Sequence, residues 1–226
     1  SRWYTGSGIN RHVRLVRKNV CHIPMDGVFA SFDEGKLNVK ATVSNRSDKS
    51  RKVKLQFVLK DADGKVVTRG NGADVQIAPG EQTELASSVA LKSPHLWSLD
   101  DPYLYTLEVS LSDGSKEIDS ETVTTGLRTI RFDNEKGFFL NGQNIKMYGV
   151  CLHSDAGALG TAVPLSVWEY RLQQLRKLGV NAIRMAHNPA DPAFMDLCDR
   201  MGFMFMAESF DTWNSAKNHA EKGYNL

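Results

Sequence analysis

The spacing of apolar residues changes period near Gly126, and that change decides what this chain can fold into. Before it, apolar residues occupy every second position: Leu37, Val39, Ala41 and Val43; Val53, Leu55, Phe57 and Leu59; Tyr103, Tyr105, Leu107, Val109 and Leu111. Successive side chains of a strand point to opposite faces, so each run predicts a strand with one buried face. Between the runs lie DADGK at 61–65, APGEQ at 78–82 and SDGS at 112–115, whose Gly, Pro and Asp residues suit tight turns. This rhythm predicts an antiparallel, immunoglobulin-like β-sandwich of about seven short strands over residues 22–125. The paired cysteines of antibody domains are missing, and the fold does not require them.

After Gly126 the pattern is mixed. Asn141 and Gly142 separate two apolar runs, the strongest local signal for a two-residue hairpin. The segment IKMYGV then reads as a strand. Ser166 and Glu169 form an S-x-x-E capping box, followed by Trp168, Leu172 and Leu175 at helical spacing and a stop at Gly179. VNAIRMA reads as a second strand. Asp191 is the expected N-cap of a second helix, with Pro192 in its first position, Phe194, Leu197, Cys198 and Met201 on one face, and Gly202 at its end. FMFMAE is a third strand. Strand, helix, strand, helix, strand is the order of a parallel sheet with helical crossovers.

Composition excludes several partners. The chain carries 28 basic and 26 acidic residues, a net charge of +2, with no run of one sign to attract nucleic acid. No apolar run approaches the roughly 18 residues that span a bilayer, and the polar first residues are no signal peptide, so a soluble chain without membrane contact is expected. Cys21, Cys151 and Cys198 are widely spaced and odd in number, which predicts free thiols and neither a disulfide framework nor a zinc site.

The residues that follow the three candidate parallel strands are unusually polar or aromatic. They are His153 and Asp155 after the first, Arg184, His187 and Asn188 at and after the second, and Glu208, Asp211 and Trp213 after the third. Parallel sheets bind ligands at the carboxyl ends of their strands, so all eight fall where a ligand would be met. Several also have a plainer reading: Arg184 as a structural ion-pair partner, His187-Asn188-Pro189 as a turn, His153 as an ordinary polar loop residue, Trp213 as barrel packing. Glu208 and Asp211 stand three apart on one loop, a poor arrangement for two carboxylates that would have to flank one scissile bond from opposite sides.

The segment GVNAIRMAHNPADPAFMDLCDRMGFMFMAESFDTW resembles the start of the catalytic barrel of glycoside hydrolase family two, the family of β-galactosidases, β-glucuronidases and β-mannosidases. SRWYTGSGINRHVRL resembles the last strands of that family's jelly-roll sugar-binding domain, and SPHLWSLDDPYLYTLEVSL the end of its immunoglobulin-like domain. GLRTIRFDNEKGFFLNGQNIKMYGV resembles its approach to the barrel and GVCLHSDAGALGTAVP the loop after the first barrel strand; HSDAGALG and ESFDTW are most similar to bacterial β-galactosidases. The implied fold is multidomain, β plus α/β: the end of the jelly roll at 1–21, the sandwich at 22–125, and the first strands and helices of a (β/α)8 barrel at 126–226.

The resemblance implies a retaining, exo-acting β-glycosidase, a β-galactosidase by its loops, with β-glucuronidase or β-mannosidase as alternatives and a non-catalytic immunoglobulin-like carbohydrate-binding module as a further one. The family's two glutamates, about 5 Å apart in retaining enzymes, follow barrel strands four and seven. Both are therefore expected beyond Leu226, so that no catalytic acid/base or nucleophile lies within the chain and the fragment alone is inactive. Arg184 matches the family arginine beside the nucleophile carboxylate, where a guanidinium would keep that group ionised. His187 and Asn188 extend the same wall, His153 would donate to a sugar hydroxyl, Asp155 and Asp211 would accept from others, and Trp213 would offer an apolar face. Metal-dependent members carry DEANIETHG after the third strand; Ala207, Thr212 and Asn214 replace its ligand-type residues, so no magnesium and no other cofactor is expected. The expected partner is a β-galactoside or related carbohydrate, the expected compartment bacterial cytoplasm or periplasm, and an incomplete barrel would favour self-association through its open edge.

Overall fold

The computed structural model of the protein describes residues 8–209, which divide into two compact units, Leu15–Ile145 and residues 8–14 with 146–209. The first is built from alternation. Strands β1 (Cys21–His22), β2 (Val28–Asp33), β3 (Lys36–Asn45) and β6 (Gln82–Ala90) form one four-stranded sheet, with β3 pairing all the others. Strands β5 (Val66–Ile77), β4 (Arg51–Lys60), β7 (Tyr105–Asp113) and β8 (Lys116–Thr125) form the second, in that order. Every pairing in both sheets is antiparallel.

The alternating residues named from the sequence are the ones that meet in the middle. Leu37, Val39, Ala41 and Val43 of β3, Val53, Leu55, Phe57 and Leu59 of β4, and Leu107, Val109 and Leu111 of β7 belong to a single buried cluster. Each such Leu, Val or Phe removed from water stabilises the fold by about 1.5–3 kcal/mol. Asn45 is buried at the sandwich corner, its Nδ2 lying 2.8, 3.0 and 3.1 Å from the carbonyl oxygens of Lys49, Ile77 and Ala78. Its Oδ1 accepts from Ser47 Oγ at 2.6 Å, so the amide is satisfied on both sides. The count of about seven strands becomes eight, because the two-residue β1 pairs with the end of β3 through Cys21 and His22, too short a pair to leave a periodic signal.

A small sheet follows, β9 (Ile130–Asp133), β10 (Gly137–Leu140) and β11 (Gln143–Asn144), with the predicted hairpin between the last two. Asn141 at φ 51° and Gly142 at φ 78° supply the two left-handed residues that a primed turn needs.

The second unit holds β12 (Gly149–Leu152), β13 (Ala182–Met185) and β14 (Met204–Met206), paired in parallel in that order. The crossovers are α1 (Leu165–Lys177) and α2 (Pro192–Met201). Val150 and Leu152, Ile183 and Met185, and Phe205 turn one face of the sheet to the helices, where Trp168, Leu172, Phe194, Leu197 and Cys198 are buried. The rings of Trp168 and Phe194 meet edge-on at 4.8 Å. Asp191 caps α2, its carboxylate accepting from the Ala193 amide at 3.0 Å, and Gly202 closes it at φ 69°. Arg176 of α1 donates to the carbonyl oxygens of Met201 and Gly202, which no longer have partners inside the helix.

Two sequence expectations need correction. The capping box at Ser166 does not form: Pro164 is the N-cap of α1, its carbonyl accepts from Val167 at 3.0 Å, and Ser166 lies inside the first turn. A proline with its φ already near the helical value starts the ladder two residues before the serine. The strand in IKMYGV begins only at Gly149, because Tyr148 and Lys146 are tied by their backbone to the side chain of Asn181 instead.

Gly70 of β5 faces the Phe57 ring so closely that an added Cβ would lie 2.2 Å from two ring carbons. Gly70→Ala is expected to cost about 1–3 kcal/mol by overpacking, read as a lower urea midpoint, and Phe57→Leu is expected to cost less in that background than in the parent. Equal costs in the two backgrounds would mean that the ring does not meet the glycine.

Candidate functional site

The register of the parallel sheet sets the site. Cys151, Arg184 and Met206 are aligned partners across β12, β13 and β14. Because Ile183 and Met185 face the helices, Arg184 between them faces the other way, onto the surface that lines the inside of a (β/α)8 barrel. Its guanidinium Nη1 reaches Cys151 Sγ at 3.4 Å, and its Nη2 pairs with Oε1 of Glu208, just past β14. Cys151 Sγ first, and then the Glu208 carboxylate, hold the guanidinium above its ordinary pKa against its partial desolvation.

Glu208 has a second partner. Its Oε2 lies 3.3 Å from Nδ1 of His187, which follows β13 across a cis peptide bond from Ala186. The His187 ring meets that of His153, after β12, at 5.5 Å and 74°. One cluster therefore joins the carboxyl ends of all three strands: His153 from β12, Arg184 and His187 from β13, Glu208 beyond β14. Ser154, beside His153, has its hydroxyl buried with no hydrogen-bond partner among the described residues.

The other candidates lie on the neighbouring loops or beyond the described residues. Asp155 is half-buried after β12, and Arg171 of α1 donates to its backbone carbonyl at 2.8 Å while stacking over Trp168. Asn188 is exposed. Asp211 and Trp213 lie outside the described residues, as do Thr212 and Asn214 of the magnesium comparison. Leu226, beyond which the two glutamates are expected, lies outside them as well. Among the described residues, no group of three His, Cys, Asp or Glu is gathered closely enough to hold a metal ion.

Sequence reading missed three contributors. Cys151 is the β12 partner of Arg184, a contact set by register, which no local motif encodes. Arg11 donates to the carbonyl oxygens of Pro189 at 2.9 Å and Ala190 at 3.3 Å, tying down the loop that carries His187 and Asn188. Asn10 does the same for the loop after β12, donating to the Thr161 carbonyl at 2.9 Å. Both are more than 150 residues away in sequence from what they hold, and neither lies in a periodic segment.

Comparison with known proteins decides the family. Residues 24–128 match the model of glycosyl hydrolases family 2, and residues 130–225 match the model of its TIM barrel domain. The chain belongs to glycosyl hydrolase family 2. The immunoglobulin-like sandwich is thus followed by the first strands and helices of the family's catalytic barrel. Over 96% of its length the family 2 chain is 41% identical to a Bacteroides ovatus protein named Beta-galactosidase BoGH2A, covering 26% of that relative. It is 35% identical to a putative beta-glucuronidase of Formosa agariphila, over 95% of this chain and 20% of that one. A crystal structure of a family 2 member from Bacteroides cellulosilyticus superimposes with a TM-score of 0.85 at 36% identity, over 94% of this chain and 30% of that one. The chain spans about a fifth to a quarter of the length of these two curated relatives.

The cysteines differ in environment. Burial pushes the Cys198 thiol up to about 12 and raises Cys21 as well, whereas Cys151 is exposed on the sheet face opposite the helices. Only the thiolate reacts with disulfide reagents, so at pH 8 the folded 226-residue chain is expected to release one equivalent of thionitrobenzoate quickly and two more on unfolding. Cys151→Ser should abolish the fast phase; a fast phase that survives would contradict the assignment.

Proposed function

We propose that this chain is part of a retaining, exo-acting β-glycosidase that removes terminal β-galactosyl residues, and that its strand-end cluster is one wall of the sugar pocket. The observation that carries the proposal is the convergence of Arg184, His187, His153 and Glu208 at the carboxyl edge of the parallel sheet, where (β/α)8 enzymes bind their substrates. The galactoside preference rests on the Bacteroides ovatus relative, whose name states that activity. Two relatives named as β-glucuronidases, 35% and 33% identical, favour glucuronides as the second reading.

Each residue has a role in this reading. Arg184, projecting to the barrel interior, supplies a fixed positive charge that keeps a nearby nucleophilic carboxylate ionised. His153 and His187 offer imidazole nitrogens to sugar hydroxyls, and Asn188 and Asp155 flank them on the loops. Asp211 and Trp213, outside the described residues, are assigned in this reading the roles of a hydroxyl acceptor and an apolar face for the sugar. The acid/base and nucleophile of a retaining mechanism are two further carboxylates about 5 Å apart, supplied in this reading by later barrel strands beyond Leu226. No cofactor takes part in that mechanism, and the substrate is a carbohydrate. The domain limits proposed with this reading are 1–21, 22–125 and 126–226.

The test is hydrolysis of 4-nitrophenyl β-galactoside, β-glucuronide and β-mannoside by the full-length polypeptide that carries this chain. The galactoside is expected to be cleaved fastest, the 226-residue chain alone should cleave none, and Arg184→Met in the full-length polypeptide should lower kcat/KM by about 100-fold or more. A preference for the glucuronide would establish the second reading, and cleavage of none of the three would overturn both.

A further inference from the structure

Glu208 stands out because each of its two oxygens faces a different candidate pocket residue. Oε1 pairs with Arg184 Nη2 and Oε2 lies 3.3 Å from His187 Nδ1, while the carboxylate itself sits past β14, one strand away from both. Arg184 and His187 need such a hold for different reasons. Arg184 has a long side chain, 38% exposed, whose other contact, Cys151 Sγ, is a weak acceptor. His187 sits on a loop whose backbone is fixed by Arg11 through Pro189 and Ala190, which leaves the orientation of its ring to side-chain contacts.

We infer that Glu208 is a positioning residue: its carboxylate holds the guanidinium of Arg184 and the imidazole of His187 in one joint geometry, and it acts on the sugar only through them. This rests on the pocket reading above. A carboxylate accepts and never donates, so it can hold two cationic or N–H groups at once, which neither an amide nor a hydroxyl does as well. His187 in turn abuts His153, so the arrangement passes from β14 through β13 to β12. Misplacing such groups by about 1 Å is enough to cost on the order of 100-fold in rate.

The test is a pair of double-mutant cycles in the full-length polypeptide, with kcat and KM for the nitrophenyl galactoside and thermal melts as a folding control. Glu208→Leu is expected to lower kcat/KM by about 100-fold, and Glu208→Gln, which keeps one acceptor oxygen, by less. Adding Glu208→Leu to His187→Ala or to Arg184→Met should cost no more than about threefold beyond the worse single change, since contacting groups that act together are not additive. Full additivity in both cycles would overturn the inference and make Glu208 a direct sugar contact or a purely structural group. A crystal structure of the Glu208→Leu form gives a readout independent of activity: the Arg184 guanidinium and the His187 ring should leave their present positions while β12 to β14 stay in register. If both side chains remain in place, the inference fails even where the polypeptide is active. If the polypeptide cleaves no glycoside, the pocket reading fails, and the movement of the two side chains still decides whether Glu208 holds them.

Discussion

The parallel pairing of β13 with β12 on one side and β14 on the other is the constraint on which the candidate site depends. It fixes Cys151, Arg184 and Met206 as lateral partners, and with them the face that each side chain takes. A shift of one residue would send Arg184 into the apolar layer beneath the helices and bring Ile183 or Met185 out to the opposite face. The burial of Ile183 and Met185 against Phe194, Leu197 and Trp168 is therefore what keeps the arginine on the interior face. Packing on one side of the sheet determines chemistry on the other.

The two units show the same logic with different periods. In the sandwich, strict alternation gives two sheets whose inner faces share one cluster, and the Asn45 amide that falls inside donates to backbone carbonyls. In the barrel segment, alternation within strands of three or four residues sorts residues between helix layer and interior face, while a 3.6-residue period on α1 and α2 supplies the covering layer. Asn181, Arg176 and Arg11 then secure the connections by donating to backbone carbonyls left without partners by the strand and helix ends.

Much of this was legible in the sequence, for reasons that are local. The runs at Leu37–Val43, Val53–Leu59 and Leu107–Leu111, the Asn141-Gly142 hairpin and the Asp191-Pro192 cap each depend on residues within a few positions of one another. The Ser166 capping box failed for a local reason too, since Pro164 was the stronger start signal. Polar residues at three strand ends were visible because strand ends can be located, and the family resemblance rested partly on the same segments. The pairing of Glu208 with both Arg184 and His187 was not legible, nor was the contact with Cys151: both depend on which strands are neighbours and in what register. Arg11 and Asn10 act across more than 150 residues and carry no periodic signal at all.

Whether the strand-end cluster forms a sugar pocket is decided most directly by a crystal structure of the full-length polypeptide with a galactose-configured iminosugar bound. Sugar hydroxyls are expected within hydrogen-bonding distance of His153 or His187, with Arg184 alongside and still paired to Glu208. A sugar bound away from the carboxyl ends of β12, β13 and β14, with this cluster left in contact only with protein, would contradict the pocket reading.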